Sequence, residues 1–257
     1  MSIPTTNVSF SSIYNAINNP DHNGTDAISL SSFRGQTFTT GPPVPASGAI
    51  SIDTDLRGRT PSSNMIPDGT YQFPPTAGSD SIWHIPYYGL YDYSQGGMIY
   101  LKEDIETATD TVGKPGHLMG IAFQWDGYTN GYRRDNQTIK ISHVIGDSGF
   151  PDPGYPDYRT LALKNTTTVK EDFSFWTYNN FSTFVDFDIG FDYNGVNNIL
   201  ISWENRDGDW QSGYGRVKGR VIPSDRSHAW YRDGSYPTSS SSNNKGVPNI
   251  KFKFITP

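Results

Sequence analysis

PNIKFKF, residues 248–254, alternates apolar and lysine side chains after a Pro-Asn pair. In an extended chain Ile250, Phe252 and Phe254 fall on one side and Lys251 and Lys253 on the other, because successive side chains of a strand point to opposite faces. The same period of two runs through Ile121, Phe123 and Trp125, and through Ile139, Ile141 and His143. It recurs at Val185, Phe187 and Ile189, and at Ile199, Ile201 and Trp203. Each run puts one face in a core and the other toward water. Asp126-Gly127, Asn194-Gly195, Asp207-Gly208 and Asp233-Gly234 read as the turns between them. With Met98–Leu101, Tyr214–Ile222 and Ala229–Arg232 added, about nine strands are predicted, which suits a two-sheet β-sandwich.

The composition agrees with an all-β chain. Of 257 residues, 14% are aromatic, 26 are glycine and 18 are proline, which favours turns and an aromatic core over helices. No cysteine is present, so neither a disulfide framework nor a thiolate metal site is available. The net charge of −6 opposes a broad electrostatic grip on nucleic acid. No apolar run is long enough to span a bilayer. The opening MSIPTTNVSF lacks the basic and apolar regions of a signal peptide. The expectation is a chain without membrane insertion.

The composition shifts near residue 80. No lysine precedes Lys102 and no glutamate precedes Glu103. Residues 1–80 are rich in Ser, Thr, Pro, Gly and Asn and read as an extended arm without a core of its own, ahead of a sandwich domain at 81–257. One short helix is predicted in the arm, where Phe10, Ile13, Tyr14 and Ile17 have helical spacing behind a possible cap at Ser9. The arm then states one phrase twice: AISLSSFRG from Ala27 and AISIDTDLRG from Ala49. A ribbon carrying Ile28, Leu30 and Phe33, or Ile50, Ile52 and Leu56, cannot bury its apolar side alone. It can add to a sheet edge or groove of another subunit, the stronger reading, or fold back onto the chain's own sandwich. Arg34 and Arg57 can each fork onto an acceptor there. Two copies on one tether raise avidity through effective concentration.

Several short patterns touch on chemistry. Gly146-Asp147-Ser148-Gly149 resembles a serine-protease nucleophile loop, but Phe150 follows where a glycine is needed, so a hairpin loop is the stronger reading. Asp186, Asp188 and Asp192 are spaced like a calcium loop that no glutamate closes. Asn205–Asp209 suits a cation better, yet such sequences are usually plain turns. The five histidines show no ligand spacing, so no metal or cofactor is expected. Glu103, Glu106, Glu171 and Glu204 have no spacing that marks a glycosidase pair. Two aromatic clusters remain: Tyr87, Tyr88, Tyr91 and Tyr93, and Trp203, Trp210, Tyr214, Trp230 and Tyr231. Side chains with an apolar face and a polar tip suit sugar rings, and they equally suit a core or a subunit interface. The second cluster is the candidate binding set.

The arm resembles the N-terminal segments of structural proteins from tailed phages, which carry a short helix of the form found at Val8–Ile13 and a phrase like Ile28–Gly35, sometimes repeated. The second copy departs from it, with Leu56 where the first has Phe33. The remainder resembles a β-sandwich module of phage structural and bacterial surface proteins. The matching stretches are Pro86–Tyr91, Met98–Ile105, Gly116–Phe123, Asp192–Ile199 and Pro248–Phe254. That resemblance implies a jelly-roll-like sandwich and no single activity. Together the resemblances imply a non-enzymatic virion protein of the tail, baseplate, neck or head. Its partners would be other virion subunits, with a homo-oligomer, a trimer first, as the assembly. The interface residues would be Phe10, Ile13 and the apolar and arginine side chains of the two phrases. The alternative is an adhesin for a host-surface glycan.

Overall fold

Ile250, Phe252 and Phe254 are buried, and Lys251 and Lys253 keep partial access to water, as the alternation requires. The computed structural model describes residues 65–127, 131–150, 161, 163–211, 216–237, 242–244 and 246–255. In chain order its elements are β1 (Gly69–Phe73), β2 (Asp80–Ile82), β3 (Tyr93–Tyr100), α1 (Lys102–Thr109), β4 (Gly116–Phe123) and β5 (Trp125–Asp126). Then come β6 (Tyr132–Val144), β7 (Leu163–Thr177), β8 (Val185–Tyr193), β9 (Asn198–Asn205), β10 (Arg216–Val221) and β11 (Ser227–Arg232). β12 (Ser242–Asn244), β13 (Gly246–Pro248) and β14 (Ile250–Ile255) complete the set.

Two antiparallel sheets carry the core. One has the order β1-β14-β4-β8, the other β12-β11-β3-β9-β6-β7. Leave out β2, β5 and the four strands β10–β13, and eight remain. Counted in chain order, the first sheet then reads first-eighth-third-sixth and the second reads second-seventh-fourth-fifth. That connectivity is a jelly roll. The protein is thus an all-β jelly-roll sandwich, with β10–β13 inserted between its seventh and eighth strands. β10 also pairs with β13, β2 and β5 in a small third sheet. Trp203 of β9 joins the two layers, with its ring 5.9 Å from Phe123 of β4 and 5.1 Å from Phe175 of β7.

The sandwich begins earlier than residue 81. Residues 66–257 form one compact unit, and Ile66 and Phe73 both lie in its core. β1 pairs with β14 over five residues, from Gly69 opposite Phe254 to Phe73 opposite Ile250. Phe73 stacks on Phe252 at 4.5 Å. With only Tyr71 and Phe73 as apolar residues, GTYQF is too short to display an alternation, so sequence reading left it in the arm. The helix predicted at Ser9–Ile17 and every interface residue named in the arm lie outside the described residues.

α1 was not anticipated. Ile105 and Thr109 fall on one helical face and are buried. Lys102 reaches Glu106 one turn on at 2.5 Å. Asp110, with φ 52°, ends the helix in the left-handed region. Arg226, buried beside β11, donates to Asp104 at 2.7 Å and to the carbonyl of Ile99 at 3.0 Å, which ties the helix to the sheet below it.

One side of β8 departs from the expected alternation. Val185 and Phe187 are core residues, but Ile189 is 60% exposed. The register explains it: Leu118 of β4 faces Phe191 while Gly120 faces Asp186, so β8 bulges over the intervening residues. Phe191 then resumes the core position. Asn249 gives the Pro-Asn pair of the opening stretch a structural role. Fully buried, it donates to the Gly78 carbonyl and to Gln124, each at 2.7 Å, and accepts from the Gly78 amide at 2.9 Å.

Candidate functional site

The ends of four adjacent strands build one rim of the sandwich. Tyr93 of β3 faces Arg232 of β11, Ser94 faces Asn205 of β9, and Asn205 faces Gln137 of β6. The segments leaving these ends are 86–92 before β3, 206–211 after β9 and 233–236 after β11. Gly208 and Gly234, with φ 76° and 72°, supply the left-handed positions that turn the last two.

A buried arginine joins two of these segments. Arg134 on β6 is 2% exposed. One of its terminal nitrogens donates to the Asp209 carbonyl at 2.8 Å and to the Asp207 carboxylate at 3.1 Å. The other donates to the Gly89 carbonyl at 2.8 Å. The planar guanidinium suits this work because its donors diverge at fixed angles. Backbone bonds add to the clamp: the Gly208 amide donates to the Asp92 carbonyl at 3.1 Å, and the Gln211 amide to the Gly89 carbonyl at 2.9 Å.

Between the clamped segments lies an open cleft of about 510 Å³, lined by Leu90, Tyr91, Asp92, Trp210 and Asp233. Trp210 is 56% exposed. Tyr91 continues inward through a ring cluster, 4.6 Å from Tyr231 and 5.3 Å from Tyr88. His84 stacks on Tyr88 at 4.1 Å and holds φ 71°, a left-handed conformation uncommon outside glycine. Burial pushes the His84 pKa down, so its ring stays neutral against the tyrosines.

The five aromatic residues of the candidate binding set therefore separate. Trp210 lines the cleft, and Tyr231 stands behind it through Tyr91. Trp203, 1% exposed, is a core residue whose indole N–H donates to Gln137 at 2.8 Å. Trp230, 5% exposed, stacks on His228 at 4.0 Å inside the protein. Neither of these buried tryptophans can meet a ligand. Tyr214 lies outside the described residues. Sequence reading missed Leu90, Asp92 and Asp233 as cleft residues. Asp233-Gly234 signalled a turn, but only strand register shows that this turn meets Asp92.

The other patterns resolve into structural roles. The three spaced aspartates of β8 have separate partners: Asp186 meets Lys253 at 2.8 Å, Asp188 meets Lys170 at 2.8 Å, and Asp192 meets His117 at 2.6 Å. In Asn205–Asp209 one carboxylate oxygen of Asp207 and the backbone carbonyl of Asp209 go to Arg134. Among the described residues no group of three or more histidine, aspartate and glutamate side chains converges as metal ligands would. Glu204 is buried between Lys140 at 2.6 Å and Arg206 at 3.0 Å, and Glu106 is held by Lys102, so neither carboxylate stands free. His143, near the Ser148 loop in sequence, is fully buried and accepts the Asn194 amide at 3.1 Å through Nε2.

Burial, with a smaller contribution from the Lys164 charge, lowers the His143 pKa from its ordinary value. The unfolded chain then binds more protons than the folded one, so stability rises with pH across that interval. Stability is expected to be full above about pH 6.5 and to fall as pH drops below it toward the lowered folded value. Denaturant unfolding from pH 5 to 8 checks this against His143→Gln, which should reduce the slope and leave the share that His84 contributes in the same direction. Identical profiles for the two proteins would remove His143 from the explanation.

No protein-family model matches the chain, and a search of curated proteins returns no match.

Proposed function

We propose that the protein is a non-enzymatic structural component of a tailed bacteriophage particle. Its leading segment docks onto other virion subunits, and its jelly roll is displayed as part of a tail, baseplate, neck or head appendage. The observation that carries this reading is the phrase stated twice, at Ala27–Gly35 and Ala49–Gly58, ahead of a sandwich whose eight jelly-roll strands all lie between Gly69 and Ile255. A sandwich that supplies its own core leaves the repeated ribbon for another surface. An apolar side chain left in water forgoes roughly 1.5–3 kcal/mol of burial, which a partner surface recovers. A homo-oligomer fits this role, because identical subunits offer each arm the same acceptor.

Replacing Leu30 and Phe33 together by serine is the test. The paired variant should unfold at the same denaturant concentration as the parent, and its incorporation into particles should fall by about tenfold or more, the scale of losing one such contact. Undiminished incorporation would end the docking proposal.

A further inference from the structure

The rim cleft combines three properties that together specify a ligand class. Trp210 offers more than half of its surface to solvent, yet it does not sit on a loose tip. The residues around it are fixed by Arg134, by the Gly208 amide on Asp92 and by the Gln211 amide on Gly89. A large aromatic face held rigid and left uncovered binds with little ordering cost. Facing the same space are two carboxylates, each anchored through one oxygen. Asp92 accepts the Gly234 amide at 2.9 Å through Oδ2, and Asp233 accepts the Asp92 amide at 3.4 Å through Oδ1. Among the described residues nothing engages the second oxygen of either, so two acceptors remain for incoming donors. Among the described residues the lining includes no cation.

We propose that this cleft binds a neutral pyranose, stacked by its C–H face on Trp210 and held through hydroxyl groups donated to Asp92 and Asp233. Each part of the ligand is dictated by a part of the site. The flat, apolar ring face of the sugar matches the indole. Its hydroxyls supply the donors that ionised carboxylates accept and cannot themselves supply. The two carboxylates, with no cation beside them among the described lining residues, and a net charge of −6 disfavour sialic acids, uronic acids and phosphodiesters. The volume of about 510 Å³ lies within the range of small-ligand sites. The open side leaves room for a neighbouring sugar, so the ligand is a terminal or exposed residue of a longer glycan. This inference does not rest on the virion reading, and its test uses the isolated chain.

Calorimetric titration of the full chain tests it. The probes are the methyl pyranosides and short oligosaccharides of glucose, galactose, mannose and N-acetylglucosamine, beside sialic acid, glucuronic acid and a lysine-rich peptide. At least one neutral saccharide should bind saturably. Trp210→Ala should weaken that binding by about tenfold or more. Asp233→Asn keeps an acceptor for the Asp92 amide but loses the negative charge, and should weaken it in the same direction. Trp176→Ala, at an exposed tryptophan on β7 that the cleft does not include, should bind as the parent does. Thermal unfolding of each variant verifies that the sandwich is intact. Three results overturn the proposal: no neutral saccharide binds, binding survives Trp210→Ala, or the acidic sugars or the basic peptide bind in preference to the neutral ones.

Discussion

Arg134→Met is expected to destabilise the protein by about 3–5 kcal/mol, the cost of breaking a buried ion pair by removing one partner. The side chain is 2% exposed and serves acceptors on two segments that are far apart in sequence. Methionine fills much of the space of the arginine stem but donates nothing. The Asp207 carboxylate, largely shielded, then loses its cation. The carbonyls of Gly89 and Asp209 lose a donor as well, at about 1–3 kcal/mol for each one that water cannot reach. In a domain of this size the melting temperature should drop by about 10 °C. Arg134→Lys should recover only part of the loss, because one ammonium cannot span acceptors on both segments. Denaturant unfolding measures each variant. A loss below about 1 kcal/mol for the methionine variant would mean that the two segments hold each other without the clamp.

Trp203→Ala should be as damaging, at about 3–5 kcal/mol, while Trp210→Ala should change stability by no more than about 0.5 kcal/mol. The two residues are seven positions apart and of the same type, so the contrast isolates environment. Trp203 touches Tyr87, Phe123, Phe173 and Phe175 and fills the space between the sheets. Deleting it leaves a cavity that rigid neighbours cannot close. Trp203→Phe separates the remaining contribution: it restores most of the ring but leaves the Gln137 carbonyl oxygen without the indole donor, for a loss of about 1–3 kcal/mol. Equal losses at positions 203 and 210 would refute the division of the tryptophans between core and cleft.

Period two was legible wherever a strand ran straight with one face covered. The runs at 121–125, 139–143, 199–203 and 250–254 are core strands for that reason. β7 was not legible, because its first half, LKNTTT, lies at a sheet edge with little to bury, and only Val169, Phe173 and Phe175 reach the core. Ile189 misled because a bulge is set by the partner strand, and a single strand's pattern does not record it. α1 follows directly on the strand predicted at Met98–Leu101, and its residues carried no clear pattern of their own. Its helical signal is one apolar residue, Ile105, four positions after Leu101, with a lysine–glutamate pair at the same spacing. At the site, Trp210 was found from composition alone. Asp92 and Asp233 stand 141 positions apart in sequence, and no spacing rule connects them; the antiparallel pairing of β3 with β11 does.

The pairing of the first jelly-roll strand with the last has a mechanical consequence. β1 begins at Gly69 opposite Phe254, at the end of the sandwich where β8 passes into β9 and α1 connects β3 to β4. Trp210 and Asp92 stand at the other end, where β3 begins and β9 finishes. A pulling force applied between Gly69 and the cleft therefore acts along the strand axes. It drags β1 lengthwise past β14, so the rungs of that ladder resist in shear and must yield together. Were Gly69 at the same end as Trp210, the same force would peel the ladder open from one end, one rung at a time. The placement suits a module that must stay folded while it is held at one end and tugged at the other.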